Sequence, residues 1–401
     1  MSGDGDVRAG RGAITFAAEH MPALKAMTEQ VTVAGRLRGM RVGVALMLEP
    51  KTACLVEAIA AAGGEVTVLG NAFSTKPDTV AALRDAGIQV HVDGEDERPA
   101  IEGFLDTKPE LIVDDGAVVS RHVHRHRRDV LPTLVGVAEE TTSGVRPLRL
   151  MEAAGELEVA CVAVNDARTK VWFDNVYGTG QSVVMAVLDV TNIQMPGSRV
   201  VVVGYGWVGR GIAAAARALG GRVDVAEIDP VRALVAFHDG FDVRRVADSL
   251  PEADIVITAT GIDQSLTGEH VEMMRDGAVV AVGGAGRWEF DYRVGSQIVE
   301  GDEVRDHVRA LTAAAGHTVY LVADGHCANT TAGEGNPIEI MDLSLALQLR
   351  ALDMLAAGDL PPGVHLLPDH VEDEVAAAQL AAAGMHLDTP GALQQRAAEQ
   401  W

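Results

Sequence analysis

The chain is poor in aromatic residues and in cysteine. Phe, Trp and Tyr make up 4% of its 401 residues, so Ala, Val, Leu and Ile must fill its interior. Three cysteines, Cys54, Cys161 and Cys327, cannot all pair and stand at no metal-ligand spacing, which predicts a reducing, cytoplasmic setting and no metal. A basic excess is missing too. With 33 Lys and Arg against 57 Asp and Glu, the net charge is −24, which argues against a nucleic-acid partner because phosphate binding needs a basic face. No run of 18 apolar residues occurs, and no charged segment leads into a short apolar one at the start, so neither a membrane partner nor a signal peptide is expected. The one basic run, Ser120 to Asp129 (SRHVHRHRRD), contains H-x-H-x-H. Its arginines would repel a cation, and no Cys or acid sits at ligand spacing, so it reads as a solvated face or an anion contact.

What is present is organised around residues 200–229. Val200 to Val203 is an apolar run of the kind buried on both faces of a parallel sheet. Gly204-Tyr-Gly206-Trp207-Val208-Gly209 follows, then an Ala-rich helical pattern stopped by Gly220-Gly221, and then a strand, Val223 to Ile228. That strand carries Glu227, 18 residues past Gly209. Gly204 permits the tight turn, Gly206 lets a pyrophosphate approach the backbone, and Gly209 lets helix pack on strand. The helix N-terminus offers free N–H groups to the anion, and a carboxylate at Glu227 suits ribose hydroxyls, favouring NAD over NADP.

Around this unit the chain alternates short apolar runs with helical patterns, which predicts α/β: two Rossmann-like, doubly wound, parallel-sheet domains and a helical C-terminal tail. Residues 1–180 are expected to begin one domain, 181–332 to form the NAD domain, 333–370 to return to the first, and 371–401 to form the helical tail. Residues 1–12 are expected to fray. Leu111-Ile-Val-Asp114-Asp115-Gly is an apolar strand ending in two acids, where ligands of open sheets gather; the alternative is an ordinary strand-end turn. Lys170 and Asp174 are four apart and would share a helix face, either as a solvated pair or as a proton-transfer pair beside a nicotinamide.

With these residues in view, the chain resembles the S-adenosyl-L-homocysteine hydrolases, in their short archaeal and bacterial form. The matching stretches are EETTSG at 139–144, VNDARTKVWFDNVYGTGQS at 164–182, VVVVGYGWVGRGIA at 200–213, AEIDPVRAL at 226–234 and AGEGNPIEIMD at 332–342. The tail ends near Trp401 without the Lys/Tyr-bearing extension of longer relatives. The resemblance implies bound NAD, a nucleoside substrate, transient oxidation of its 3′-hydroxyl, removal of the C4′ hydrogen, loss of the 5′ substituent, addition of water, and reduction of the ketone. It also implies that residues 1–180 begin the substrate domain, that the chain forms a homotetramer, and that the tail at 371–401 is suited to an oligomer contact.

By the same resemblance, Lys170 and Asp174 manage the 3′-hydroxyl proton, Asn175 and Asn165 orient them, Asp115 acts at C4′, and Glu140 binds ribose hydroxyls. Thr141, Thr142 and Ser143 would contact the nicotinamide half. Gly204, Gly206, Gly209, Glu227, Thr260 and Asn329 would hold the rest, with Trp207, Val208, Gly283 and Asn175 alongside. Lys170 is expected to have a lowered pKa through desolvation.

The departures gather at one end of the expected pocket. The family's H-M/V-T-x-E reads Met47-Leu-Glu49-Pro-Lys51, so the threonine and acid that contact the base become Glu49 and Lys51. The histidine of G-H-F is Ala285, that of G-H-P is Asn336, and a polar residue past Asp115 is Val118. With three histidines absent, the leading expectation is a lyase that omits water addition, a nucleoside dehydratase suited to antibiotic biosynthesis. The alternatives are a hydrolase of S-adenosyl- or S-inosylhomocysteine, or a catalytically silent NAD-binding regulator.

Overall fold

A computed structural model of the chain describes residues 5–92, 98–284 and 288–399. In chain order the strands are β1 (Arg41–Ala45), β2 (Glu65–Gly70), β3 (Gln89–Val92), β4 (Leu111–Asp114), β5 (Gly136–Glu139), β6 (Ala160–Ala163), β7 (Arg199–Val203), β8 (Arg222–Ala226) and β9 (Asp242–Val243). They continue as β10 (Ile255–Thr258), β11 (Leu266–Thr267), β12 (Val279–Val282), β13 (Phe290–Asp291), β14 (Val299–Arg305), β15 (Val308–Thr312), β16 (Thr318–Val322) and β17 (Gly363–His365). One sheet runs β17-β6-β5-β4-β1-β2-β3 and the other β14-β15-β16-β12-β10-β7-β8-β9, while β11 pairs with β13 alone.

The first sheet is parallel throughout. β4, β5 and β6 are buried along their whole length, as strands covered by helices on both faces must be, and this explains their unbroken apolar runs. The second sheet departs from the expected all-parallel pattern. Its edge is a hairpin, with β14 antiparallel to β15 and β15 antiparallel to β16. Residues 299–305 are mostly exposed, and a solvated edge strand needs no buried crossover.

In each sheet the strand order reverses direction once, at β1/β4 in the first and at β7/β10 in the second. At such a reversal the loops leaving neighbouring strands go opposite ways and open a crevice at the carboxyl ends. Leu46 to Lys51 and Asp115 leave the first crevice; Gly204 and Thr260 leave the second.

The chain then re-enters the first unit through the 19-residue helix Ile338–Ala356, 13 residues of which are buried. The tail forms helices Asp369–Ala382 and Ala392–Glu399, and Trp401 lies outside the described residues. The expectation that residues 1–12 fray is corrected from residue 7 onward. Val7–Glu19 is a helix capped by Asp6, whose carboxylate accepts from the Arg8 and Ala9 N–H groups. No helix among the described residues is long and apolar enough to cross a membrane.

The return helix also caps another helix end. The Asp342 carboxylate accepts from the N–H groups of Ala23 (2.9 Å) and Leu24 (2.7 Å) at the start of helix Pro22–Ala34. Removing it leaves two buried donors without partners. Asp342→Ala is therefore expected to cost about 2 kcal/mol and Asp342→Asn, which keeps one acceptor, about half of that, read from urea midpoints.

Candidate active site

Successive strand residues point to opposite sides, and this splits two acidic pairs at the first crevice. Asp114 and Glu139 stand side by side at the ends of β4 and β5 and turn into the backbone. Asp114 accepts from the N–H groups of Val119 (3.2 Å) and Ser120 (2.8 Å) and from the Ser120 hydroxyl (2.6 Å). Glu139 accepts from Gly116, Ala117 and Thr141 N–H groups. The next residue of each pair, Asp115 and Glu140, faces the cleft. Of the two acids proposed for chemistry after β4, only Asp115 is therefore free to act, and Asp114 is a structural anchor.

Lys170 is the centre of the cluster. Its Nζ lies 2.8 Å from Asn175 Oδ1, 3.1 Å from Asp174 Oδ2, 3.5 Å from Asn165 Oδ1 and 3.7 Å from Glu140 Oε1. The local winding makes this possible. Residues Val171–Gly178 form a π-helix, in which the Thr179 N–H reaches back five residues to Asp174 O. On an α-helix, at about 100° per residue, position i+4 faces i while i+5 turns about 140° away. The wider winding brings Asn175 round as well as Asp174, and π segments of this kind recur at functional sites. Asn175 Nδ2 then donates to Asn165 Oδ1 (3.1 Å), as does the Thr142 hydroxyl (3.2 Å).

The expectation of a lowered Lys170 pKa is corrected. Burial is the largest single influence and does lower it, but Asp174, Glu140 and Asp115 together outweigh burial and raise it. The carboxyls respond in the complementary way. Burial lifts Asp115 to about 6, against the pull of Lys170. It lifts Glu140 to about 8, opposed by Lys170 and by the Gln348 amide. Glu140 Oε1 is buried without a hydrogen-bond partner among the described residues, as expected of a group that awaits a ligand hydroxyl.

Position 336, expected as a vacated histidine site, is filled. Asn336 Nδ2 donates to Asp174 Oδ1 and to the Thr179 hydroxyl (3.1 Å), and its Oδ1 accepts from Ser182 (2.8 Å) and Asn329 (2.9 Å). Glu49 and Lys51 form a buried ion pair of 2.7 Å, and Lys51 also donates to Glu334 O at 2.8 Å. Gly335, with φ +70°, lets this loop close on Glu49, since a Cβ there would stand 2.8 Å from Glu49 Oε2. The Met47 carbonyl accepts from the Thr52 hydroxyl at 2.6 Å. Ala285 lies outside the described residues, and Val118 opens the helix Val118–His126 with an exposed side chain. On that helix His124 uses both ring nitrogens, against Ser120 O and the Glu158 N–H. No group of three metal-ligating side chains is gathered among the described residues.

The second crevice fits a dinucleotide. Gly204 has φ +98°, and a Cβ there would stand 2.8 Å from Ala259 O. At Gly209 a Cβ would fall 1.9 Å from Gly204 O, while at Gly206 it would meet nothing within 4 Å. Backbone therefore lines open space in front of the helix Trp207–Ala218, whose N-terminus has no side-chain cap. Such a cradle suits a pyrophosphate. Glu227 braces the turn, accepting from the N–H groups of Tyr205 (2.7 Å), Ile228 (2.7 Å) and Asp229 (3.0 Å). Thr260 and Gly261 donate their N–H groups to Glu289. Gly283 packs on Ile212 and Thr258, Ser143 lies beside Gly116, and Trp207 is half-exposed with Val208 behind it.

Sequence reasoning missed four contributors. The Ser344 hydroxyl donates to Asp174 Oδ2 at 2.9 Å, and Gln348 Nε2 donates to Glu140 Oε2. Glu139 and Glu289 hold the loops. The available signal was a pair of uncharged polar residues, four apart, within the otherwise apolar stretch Leu343 to Leu349.

Two nucleotide-type crevices joined by a buried Lys–carboxylate cluster define an NAD-dependent enzyme acting on a small molecule. Comparison with known proteins narrows this class. Residues 5–132 match the family model for S-adenosyl-L-homocysteine hydrolase, and residues 175–335 match the model for its NAD-binding domain. The S-inosyl-L-homocysteine hydrolase of Methanopyrus kandleri is 42% identical over 98% of this chain and 95% of its own. The adenosylhomocysteinase of Thermotoga maritima is 41% identical, covering 97% and 98%, and that of Thermococcus kodakarensis 40%, covering 97% and 94%. Among solved structures, a Sinorhizobium meliloti transhydrogenase aligns at 17% identity and TM-score 0.41, over 78% of this chain and 93% of its own. The chain belongs to the S-adenosyl-L-homocysteine hydrolase family.

These relatives overturn the dehydratase expectation. Proteins about 40% identical along the whole chain bear hydrolase names. The structure supplies a physical reason: Asn336 does not leave a hole but ties Asp174 in place. For the cluster itself, Lys170→Ala is expected to keep NAD bound while turnover falls by about 10²-fold or more, checked by cofactor quantification beside steady-state rates.

Proposed function

We propose that this protein hydrolyses the thioether of an S-nucleosidyl-L-homocysteine carrying a 6-oxopurine, with S-inosyl-L-homocysteine as substrate. The buried Glu49–Lys51 pair carries this reading. At the position where the resembled pattern has an acid to accept from an exocyclic amine, this chain has Lys51, an ammonium that only donates. It matches an exocyclic oxygen, while Glu49 accepts from the adjacent ring N–H. The name of the Methanopyrus kandleri relative supports the same choice.

When bound, NAD⁺ supplies the acceptor, and later the donor, of one hydride. The residues of this chain do the rest. Glu140, held by Gln348, receives the ribose hydroxyls through its free Oε1. Lys170, charged among Asp174, Asn175 and Asn165, hands one of its protons to Asp174 as it takes that of the 3′-hydroxyl, and the transfer reverses when the ketone is reduced. Asp115, ionised above about 6, takes the C4′ proton. The C5′–S bond then breaks and the thiolate leaves, which at neutral pH requires little acid help. Water adds its oxygen to C5′, Asp115 returns its proton to C4′, and the ketone regains its hydride. The products are free homocysteine and the nucleoside, with no net oxidation.

The cleft-facing set and the cradle point to this reaction rather than to a silent regulator. The exposed Met385, Leu387 and Leu393 of the tail support a homo-oligomer, read by light scattering.

Thiol release from S-inosyl- and S-adenosyl-L-homocysteine tests the assignment. The inosyl compound is expected to have at least a tenfold higher kcat/KM, about 1.4 kcal/mol, and Lys51→Gln is expected to erase most of that margin. A preference for the adenosyl compound would sink the base assignment, and no thiol from either would sink the hydrolase reading. The pH dependence follows from Asp115. C4′ hydrogen exchange requires its ionised form, so the rate should be flat well above pH 6 and fall about tenfold per unit below it, measured by deuterium incorporation.

A further inference from the structure

Two glycines outside the G-x-G-x-x-G turn make the closest contact between the cofactor helix and the catalytic segment. A Cβ on Gly211 would stand 2.0 Å from the carbonyl oxygen of Val176, and one on Gly180 would stand 2.5 Å from the Gly211 carbonyl carbon. Gly211 is the fifth residue of the helix Trp207–Ala218, where Ala would favour the helix by about 0.5–1 kcal/mol. Only the close approach explains a glycine there. One turn earlier on the same helix, Trp207 packs against Trp172 with ring centroids 4.7 Å apart and ring planes inclined at 60°.

The two contacts are in step. Trp207 to Gly211 is one turn of the cofactor helix, and Trp172 to Val176 is about one turn of the π-helix. Asp174 and Asn175 lie between them, on the turn held at both ends. The helix that holds this turn is the one whose N-terminus fits the pyrophosphate.

We propose that Gly211 and the Trp172–Trp207 pair are positioning residues that lock the turn bearing Asp174 and Asn175 to the cofactor helix, so that NAD binding sets the placement of Lys170. The effect on turnover rests on the reaction proposed above; the coupling itself rests only on the cofactor. Both tryptophan rings are about 40% exposed, so truncating Trp172 opens no deep cavity.

Amide hydrogen exchange of residues 171–178, with and without NAD, tests the coupling independently of any turnover. In the wild type, NAD should slow exchange there by about tenfold. Gly211→Ala and Trp172→Ala should retain NAD yet lose most of that protection, while Trp172→Phe, which keeps a ring, should preserve it. With a turned-over nucleoside, the first two variants should lose about 30-fold or more in kcat, with KM changed less than about threefold. If Gly211→Ala does not fold, Trp172→Ala carries the test. Full NAD-induced protection in Trp172→Ala would overturn the proposal, as would a wild type that shows no protection. A wild type that shows protection but no turnover would count against the reaction and leave the coupling standing.

Discussion

One buried ammonium organises the molecule. A charge removed from water is tolerated only when it is paired and hydrogen-bonded, and Lys170 meets that requirement with groups from several separate elements. Glu140 comes from the end of β5, Asn165 from beyond β6, and Asp174 and Asn175 from the π-helix. Ser344 and Gln348, from the return helix, satisfy the carboxylates in turn. The long excursion that builds the second sheet must therefore come back. Without the helix Ile338–Ala356, Asp174 and Glu140 would each lose a donor in a dry site.

The same cluster separates acid from base. Three carboxylates around one ammonium cannot all be equivalent, and the surroundings push their proton affinities apart. Asp115, farther from the lysine and partly buried, is lifted to about 6 and suits a base that must also give its proton back. Glu140 rises to about 8 and suits a group that reads hydroxyls. Lys170 stays charged beside them. Proton positions are thus set before a substrate arrives, which is the electrostatic preorganisation a multi-step exchange of protons requires.

Departures from the family pattern acquire a different meaning in this setting. Asn336 joins Asn329 and Ser182 to Asp174, so its one amide ties three separate segments together. Glu49 and Lys51 are partners whose charges offset one another in a buried corner. Three missing histidines look like damage only when each position is considered alone. As contacts, the two described positions that changed most, 49–51 and 336, are satisfied networks.

The sequence by itself determined the cofactor and much of the fold. The strand–glycine turn–helix–strand–acid register is local, so its physical meaning survives without knowing anything distant, and the paired Lys170 and Asp174 were visible from spacing alone. Three things were decided only by tertiary structure. Which of two adjacent acids caps backbone and which faces the cleft depends on strand pairing, which places Asp114 beside Glu139. The Lys170 pKa moves up because carboxylates far apart in the chain converge on it, a sum that spacing does not contain. Ser344 and Gln348 look like exceptions in the apolar stretch Leu343 to Leu349 until the return helix packs on β4 and β5 and brings them to Asp174 and Glu140. Local geometry is written in consecutive residues, whereas the electrostatics of a buried site belong to residues up to 208 positions apart.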